Sequence, residues 1–97
     1  MRLRFTTRAT ENIAAAADYI RRRNPAAAAR VRAAIYRSLQ SLLLFPEIGR
    51  LQKRADVRKL VTGKYHYIIY YTIDRDADEI VILNVKHPAQ MREPDGD

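Results

Sequence analysis

The side chains with the clearest chemical potential are a histidine near the end of the chain and a cluster of cations in its middle. His87 follows an apolar segment, and six basic residues against one acid give residues 50–64 a net charge of +5. Such groups could cleave RNA, because attack by its 2′-hydroxyl needs a base, a cation on the phosphorane and an acid for the leaving oxygen. His87 is the candidate base or acid. The candidate cations are Arg58, Lys64 and Lys86, and the predicted catalytic set of a ribonuclease would be His87, Arg58 and Lys64.

The strand pattern around these residues works against a complete catalytic set. Lys86 and His87 are adjacent in a segment with strand periodicity, so they are expected to face opposite sides of a sheet. A lone histidine at a strand end is more commonly structural than catalytic. For Arg58 the alternative is also structural, with a packed aliphatic stem and a guanidinium that reaches the surface. Both interpretations stay open at this level.

The same cations could instead bind an anionic macromolecule. Residues 1–40 carry nine arginines against two acids, whereas residues 41–97 are neutral overall. A field of this sign raises the encounter rate with nucleic acid or with an acidic protein, although solubility alone also explains arginines on helix faces. The predicted contact residues for such a partner are Arg50, Lys53, Arg54, Arg58, Lys64, Lys86 and His87.

Several kinds of site are not encoded. The chain has no cysteine, and its two histidines lack carboxylates at ligand spacing, so we predict no metal. Its three glycines are isolated, which excludes a phosphate-cradling loop, and no cofactor is expected. No apolar run has the length of a signal-peptide core or a membrane span, which favours a cytoplasmic location and no membrane partner.

Tyrosines are concentrated in residues 65–71, where two isoleucines lie among them. Aromatic faces could stack on nucleic-acid bases. Aromatic and β-branched residues are also the usual content of a strand in a core, and this second interpretation is preferred.

The first half of the chain predicts a short strand and a helical hairpin. Residues 2–5 alternate polar and apolar, and Thr6 or the next threonine can cap a helix with an apolar stripe at helical spacing. Asn24 and Pro25 end this helix and begin the next, because the residue before proline avoids helical angles while proline suits the first helical position. The second helix is expected to end at the Phe-Pro pair at 45–46.

The second half predicts an antiparallel meander. Strands are expected at residues 57–61, 65–73 and 79–87, with residues 46–56 as a loop and residues 74–78 as an aspartate-rich turn. The middle strand should be buried on both faces. Strand alternation places Val81, Leu83, Val85 and His87 on one face of the last strand and Ile80, Ile82, Asn84 and Lys86 on the other.

The predicted fold is therefore a single α+β domain over residues 1–97. Its element order is β-α-α-β-β-β, with an N-terminal strand, an antiparallel helical hairpin and a three-stranded antiparallel meander. Residues 91–97 are expected to form a tail that is disordered or ordered by a partner.

Over residues 3–90 a series of short motifs follows this order of elements. The motifs are Thr6-Thr7-Arg8-Ala9, Asp18-Tyr19-Ile20, Asn24-Pro25-Ala26-Ala27-Ala28-Ala29-Arg30-Val31, Phe45-Pro46-Glu47-Ile48-Gly49-Arg50, Val57-Arg58-Lys59-Leu60-Val61, Tyr67-Ile68-Ile69-Tyr70-Tyr71 and Ile82-Leu83-Asn84-Val85-Lys86-His87. In order and spacing they resemble the ParE/RelE superfamily, the toxins of bacterial type II toxin–antitoxin pairs. That resemblance implies the β-α-α-β-β-β fold already expected.

The resemblance is closer to the ParE branch, through the Asn-Pro-Ala-Ala helix start and the Pro-Glu-Ile-Gly-Arg turn. It implies a toxin that inhibits DNA gyrase by binding and is neutralised by an acidic, ParD-like antitoxin, with which it would form a hetero-oligomer. The antitoxin's carboxyl-terminal segment would cover the hairpin and the sheet and pair with the basic residues. After His87 the chain departs from the branch pattern, since Pro88-Ala89-Gln90 replaces a small residue followed by a basic one.

Two other functions remain open at this level. The RelE branch implies a ribosome-dependent mRNA endonuclease, which would be an enzyme acting on nucleic acid directly. A weakly toxic module that acts mainly in autoregulation of its operon is the third.

Overall fold

Two helices lie against one face of a five-stranded sheet and leave its other face open. The computed structural model describes residues 1–54, 56–63 and 65–87. Its elements are β1 (Arg2–Phe5), α1 (Thr7–Arg23), α2 (Pro25–Leu44), β2 (Arg50–Leu51), β3 (Arg58–Val61), β4 (Ile68–Asp74) and β5 (Glu79–Lys86). The tail predicted at residues 91–97 lies outside the described residues.

The strand order across the sheet is β1-β5-β4-β3-β2. β1 runs parallel to β5, and the other neighbours are antiparallel. The α+β fold and the terminal meander are confirmed. The prediction that residues 46–56 form only a loop is wrong, because Arg50 and Leu51 pair with Lys59 and Arg58 as β2. A strand of two residues is too short to leave a periodic pattern in the sequence.

The junction between the helices is the one that the Asn24-Pro25 pair predicts. The Asn24 N–H donates to the Ile20 carbonyl (2.7 Å) at the end of α1, while its side-chain oxygen accepts from the Ala27 N–H (3.1 Å) at the start of α2. Thr6 caps α1 in the same way, since its hydroxyl oxygen accepts from the Ala9 N–H (3.0 Å). Each cap satisfies a backbone donor that has no partner within its helix.

The core lies between the helices and the covered face of the sheet. The side chains that fill it are Ala9, Ala16, Val31, Ile35, Leu39 and Leu42 from the helices and Tyr67, Ile69, Tyr71, Ile80, Ile82 and Val85 from the sheet. On the open face Ile68 is also buried, whereas Tyr70 and Thr72 are half-buried. Burial of β4 on both faces therefore holds for its first half only.

β4 begins three residues later than expected, because a tight turn precedes it. His66 has a φ of 57°, in the left-handed region, and its N–H donates to the Thr62 carbonyl (3.2 Å). The buried Thr62 hydroxyl oxygen accepts from the Tyr67 N–H (2.9 Å). These bonds commit Thr62, His66 and Tyr67 to the turn, so strand pairing with β5 starts at Ile68.

The two faces of β5 are not those of strict alternation. Tyr70 pairs with Asn84 but Tyr71 pairs with Ile82, so Leu83 is an extra residue in β5. A bulge of this kind reverses the facing of everything beyond it. Ile80 and Ile82 therefore share the core face with Val85, and the predicted grouping of Ile80 and Ile82 with Asn84 and Lys86 is wrong.

Candidate functional site: a basic groove on the open face of the sheet

A row of polar side chains crosses the open face of the sheet. Arg50 pairs with Lys59, Lys59 with Tyr70, and Tyr70 with Asn84. Residues at facing register positions project to the same side. Because the next residue, Tyr71, belongs to the core, this row lies on the side away from the helices. The antiparallel register thus brings together polar side chains that are far apart in sequence.

A groove of about 780 Å³ runs along this face. It is lined by the start of α1, the β2–β3 loop, β4 and β5, through Thr6, Arg8, Gln52, Lys53, Arg54, Val57, Tyr70, Leu83, Asn84 and Lys86. These lining residues include four cations, two amides and two hydroxyls, and no carboxylate or imidazole. The groove therefore matches the charge and the hydrogen-bonding capacity of an extended anion.

Three carboxylates of the described residues pair with arginines away from the groove. Glu79 accepts from Arg4 (Nε to Oε1, 2.9 Å), and Asp18 lies 2.9 Å from Arg22. Glu47 pairs with Arg75 in the same way. Among the ion pairs of residues 1–54, 56–63 and 65–87, none involves a cation of the groove. No ion pair within the described residues thus neutralises these cations, and salt screening sets the range of their attraction for an anion.

Lys86 and Tyr70 contact each other inside the groove. The Lys86 ammonium lies 5.6 Å from the centre of the Tyr70 ring, within the range of a cation–π interaction. The contact holds the ammonium over the sheet and covers one face of the ring. A nucleic-acid base that stacked on Tyr70 would have to displace the Lys86 ammonium from the ring. An anion could instead bind the ammonium where it lies.

The residues predicted to contact a partner do not form one cluster in the structure. Lys53, Arg54 and Lys86 line the groove, and Arg50 lies in the cross-strand row beside it. Lys64 lies outside the described residues. Arg8 was missed by sequence reasoning, because its place in the groove depends on the parallel pairing of β1 with β5, which periodicity does not reveal.

Arg58 is occupied by the loop that follows α2. Its Nη1 donates to the carbonyl oxygens of Gly49 (2.9 Å) and Glu47 (3.2 Å). Its strand partner is Tyr71, whose hydroxyl donates to the Pro46 carbonyl (2.7 Å) and accepts from the Gly49 N–H (2.8 Å). Burial raises the pKa of Tyr71, although the Gly49 N–H and Arg58 act in the opposite direction. The structural interpretation of Arg58 fits this geometry.

His87 lies on the covered side of the sheet. Its ring meets the edges of Tyr19 in α1 and Tyr67, with ring centres 4.8 and 4.9 Å apart, and the Arg23 guanidinium lies 4.4 Å above the Tyr19 ring. Lys86 faces the groove, so the expected separation of Lys86 from His87 stands.

His87 and Arg58 are not brought to one point. His87 contacts Tyr67, in the turn before β4, whereas Arg58 pairs with Tyr71 within β4. The Arg58 guanidinium is hydrogen-bonded to the loop after α2 and not to the imidazole.

The His87 contacts predict a pH-dependent stability. Burial, and then the charge of Arg23, lower the pKa of His87 from its ordinary value of 6.5. The unfolded chain then binds more protons just below pH 6.5, so the free energy of unfolding should fall as pH drops through that window and be fully present above it. Urea unfolding from pH 8 to pH 5 measures this slope. His87→Gln should flatten it, and an equal slope in that variant would assign the effect to other groups.

Tyr67 carries a hydroxyl with no hydrogen-bond partner among the described residues. Its side chain is buried, and burial raises its pKa to about 12. An unsatisfied buried polar group costs about 1–3 kcal/mol. We therefore expect Tyr67→Phe to leave the free energy of unfolding unchanged or to raise it by up to about 1 kcal/mol. A clear loss of stability in chemical denaturation would instead reveal a partner for this hydroxyl.

A second, apolar groove of about 230 Å³ lies between the helices. Its walls come from β1, α1 and α2, through Phe5, Ile13, Ala16, Ala17, Ile20, Ala28, Val31, Arg32, Ile35, Tyr36 and Leu39. The alanines leave space that longer side chains would fill. Exposed apolar side chains at its edge, such as Phe5 and Tyr36, add to the uncovered apolar surface. We call it the hairpin groove.

The fold agrees with what comparison with known proteins finds. The family model described as ParE toxin of the type II toxin–antitoxin system parDE matches residues 3–92. The chain belongs to the ParE toxin family. It is thus a toxin of the type II toxin–antitoxin class, and the superfamily resemblance seen in the motifs is confirmed.

Two curated relatives of this ParE-family chain are similar over nearly their whole length. The putative toxin Y4kP of Sinorhizobium fredii (strain NBRC 101917 / NGR234) is 38% identical over 90 residues, covering 93% of this chain and 91% of the relative. Toxin RelE2 of Caulobacter vibrioides (strain ATCC 19089 / CIP 103742 / CB 15) is 35% identical over 88 residues, covering 90% and 94%.

Solved structures show the same fold. The chromosomal ParDE toxin–antitoxin system from P. aeruginosa contains a chain with a TM-score of 0.76 at 21% identity, covering 90% of this chain and 95% of that one. The intact E. coli RelBE toxin–antitoxin complex contains one with a TM-score of 0.66 at 20% identity, covering 88% and 93%. In the described part of the chain, neither helix combines the length and apolarity of a membrane span.

Proposed function

We propose that this ParE-family toxin inhibits DNA gyrase by binding it and is neutralised by an acidic antitoxin. The observation that supports action by binding is the composition of the basic groove. It carries four cations on an open surface, while the imidazole of His87 lies on the opposite side of the sheet. Such a surface can attract and hold an anionic partner but lacks the residues that most often transfer protons. We propose gyrase as the target because the sequence motifs resemble the ParE branch, whose known members act on gyrase.

The antitoxin would use both grooves. An amphipathic segment could place apolar side chains in the hairpin groove, whose depth and apolar walls suit a helix. Acidic side chains of the same partner would form ion pairs with Arg32 at that groove and with the cations of the open face. A disordered antitoxin segment that folds on binding can wrap surfaces this far apart.

Supercoiling of relaxed plasmid by purified gyrase tests the proposal. We expect the purified chain to inhibit supercoiling in a dose-dependent manner, and we expect prior incubation with the antitoxin encoded beside it to restore the reaction. Undiminished supercoiling at saturating toxin would reject gyrase as the target.

A second candidate is an mRNA endonuclease, favoured by the 35% identity to a relative named Toxin RelE2 and by a groove that suits a phosphodiester backbone. Primer extension on ribosome-bound mRNA would detect cleavage. Cleavage that persists in His87→Ala would remove this histidine from the mechanism. Growth arrest on expression of the chain alone separates both candidates from a module that acts only in operon autoregulation.

A further inference from the structure

The segment from the end of α2 to β2 exposes several large apolar side chains. Leu44 is 75% exposed, Phe45 61%, Ile48 52% and Leu51 58%. We call these four residues the loop patch. Single exposed apolar residues are ordinary, but four within eight positions concentrate exposed apolar side chains in one short segment, and such concentrations mark interaction sites. None of them lines the hairpin groove or the basic groove.

The loop under the loop patch is held by two side chains from the sheet and by one from the β4–β5 hairpin. Tyr71 bonds to Pro46 and Gly49, and Arg58 bonds to the carbonyls of Glu47 and Gly49. Arg75, from the β4–β5 hairpin, pairs with the Glu47 carboxylate. The apolar side chains are therefore displayed outward from a fixed loop. A surface that is already ordered loses less conformational entropy on binding, which favours affinity.

Gly49 shows how close this packing is. A β-carbon at this position would lie 2.7 Å from the Tyr71 Oη and Cε1 atoms. Only glycine lets the loop approach the tyrosine this closely. The loop backbone therefore packs directly against the sheet, while the apolar side chains of the loop remain exposed to solvent.

The charge beside the loop patch defines the kind of partner. Arg50 lies between Ile48 and Leu51 in the chain, and Lys53 and Arg54 follow; all three are exposed. Residues 48–54 contain no acid. Two copies joined through this surface would bring like charges together, which opposes a homodimer. An acidic surface with an apolar pocket is complementary to it.

We propose that the loop patch is the surface through which the toxin binds an acidic face of its protein target. Phe45 and Ile48 are the apolar anchors, and Arg50 supplies charge at the rim. This inference rests on the proposed function in one respect, that the chain acts by binding a protein. It adds a contact surface separate from the hairpin groove that we assign to the antitoxin.

The test is the double variant Phe45→Ser/Ile48→Ser. Both side chains are more than half exposed, so the variant should keep the thermal midpoint of the wild type. Loss of two interface anchors should raise the toxin concentration for half-inhibition of gyrase by about tenfold or more. Its affinity for the antitoxin should not change. Val61→Ser removes an apolar side chain that is 46% exposed elsewhere, and it should inhibit gyrase like the wild type.

A charge variant tests the acidic character of the partner. Arg50→Glu should weaken binding to immobilised gyrase by about tenfold, mostly through a slower association rate. An unchanged or faster association would overturn an acidic partner surface. Wild-type inhibition by the folded double variant would overturn the loop patch as the target surface, and so would a loss of antitoxin affinity without a loss of inhibition.

Failure of the gyrase proposal is distinguishable from failure of this one. If the wild-type chain leaves supercoiling unaffected, gyrase is not the target, and the double variant is then scored by growth arrest at matched soluble expression. Loss of arrest would support the loop patch with a different protein target. Arrest equal to that of the wild type would overturn it.

Discussion

Replacing Tyr71 with phenylalanine is expected to lower the free energy of unfolding by about 2–4 kcal/mol. The hydroxyl lies in a buried position, where it accepts from the Gly49 N–H (2.8 Å) and donates to the Pro46 carbonyl (2.7 Å). Phenylalanine keeps the ring in the core but leaves both backbone groups without this partner. Each buried group that loses its hydrogen bond contributes a separate penalty. Urea denaturation of the purified toxin measures the change.

Tyr70→Phe is the matched control for that substitution. Tyr70 is the neighbouring residue, it is half-buried on the open face, and its hydroxyl makes neither of the two loop bonds. Its replacement should change stability by less than about 0.5 kcal/mol. Equal effects of the two substitutions would show that the tyrosine hydroxyl is not what holds the loop.

The Tyr71 variant also separates stability from function. If the loop patch binds the target from a fixed loop, then releasing Gly49 should weaken inhibition even under conditions where the variant is fully folded. The reason is that binding must then restrict a loop that the sheet no longer restrains. Inhibition that tracks only the folded fraction would limit Tyr71 to a role in stability.

Local features of the fold could be predicted from the sequence, whereas its long-range pairings could not. The Asn24-Pro25 junction acts through neighbours in the chain, and both of its predicted roles are observed. The parallel pairing of β1 with β5 joins residues more than 70 positions apart. The alternation of polar and apolar residues in β1 indicates that one face of the strand is apolar. It does not indicate which strand pairs with β1. Arg8 entered the candidate site only through that pairing.

The same limit applies to the candidate site. Cations at 50–64 and at Lys86 were recognised as possible contacts, but which of them share a surface depends on register. The bulge at Leu83 decides the facing of β5, and the sequence shows no glycine or other mark there. Arg58 belonged to the same cationic cluster as Lys53, yet the loop carbonyls that bind it come from residues 47 and 49. Only the folded structure shows that the Arg58 guanidinium is already hydrogen-bonded to these carbonyls.

The candidate partner surfaces lie apart in the structure. The hairpin groove lies between α1 and α2, on the covered side of the sheet, and the basic groove lies on the open side. The loop patch is a third surface at the end of α2. An antitoxin can neutralise the toxin through one surface while the target uses another, provided that the bound antitoxin obstructs the target's approach. Substitutions at the separate surfaces should therefore give separable phenotypes.

Replacing Ala17 with tryptophan is expected to produce a toxin that its antitoxin no longer neutralises. Ala17 lines the hairpin groove, where the free volume is about 230 Å³, and an indole at this position would occupy the space that we assign to apolar side chains of the antitoxin. We expect the affinity for the antitoxin to fall by about 100-fold, which corresponds to about 2.7 kcal/mol. Because Ala17 is only partly buried, the helix can accommodate the larger side chain without unfolding. Calorimetric titration with the antitoxin measures the affinity.

Ala15→Trp provides the matched control, because it places the same side chain on the exposed face of α1, outside the groove. This variant should bind the antitoxin like the wild type, and the two variants should inhibit the target equally when no antitoxin is present. Coexpression with the antitoxin should then permit growth with Ala15→Trp and fail to permit it with Ala17→Trp. Full neutralisation of Ala17→Trp would place the antitoxin outside the hairpin groove, and the basic open face would become the surface on which to look for it.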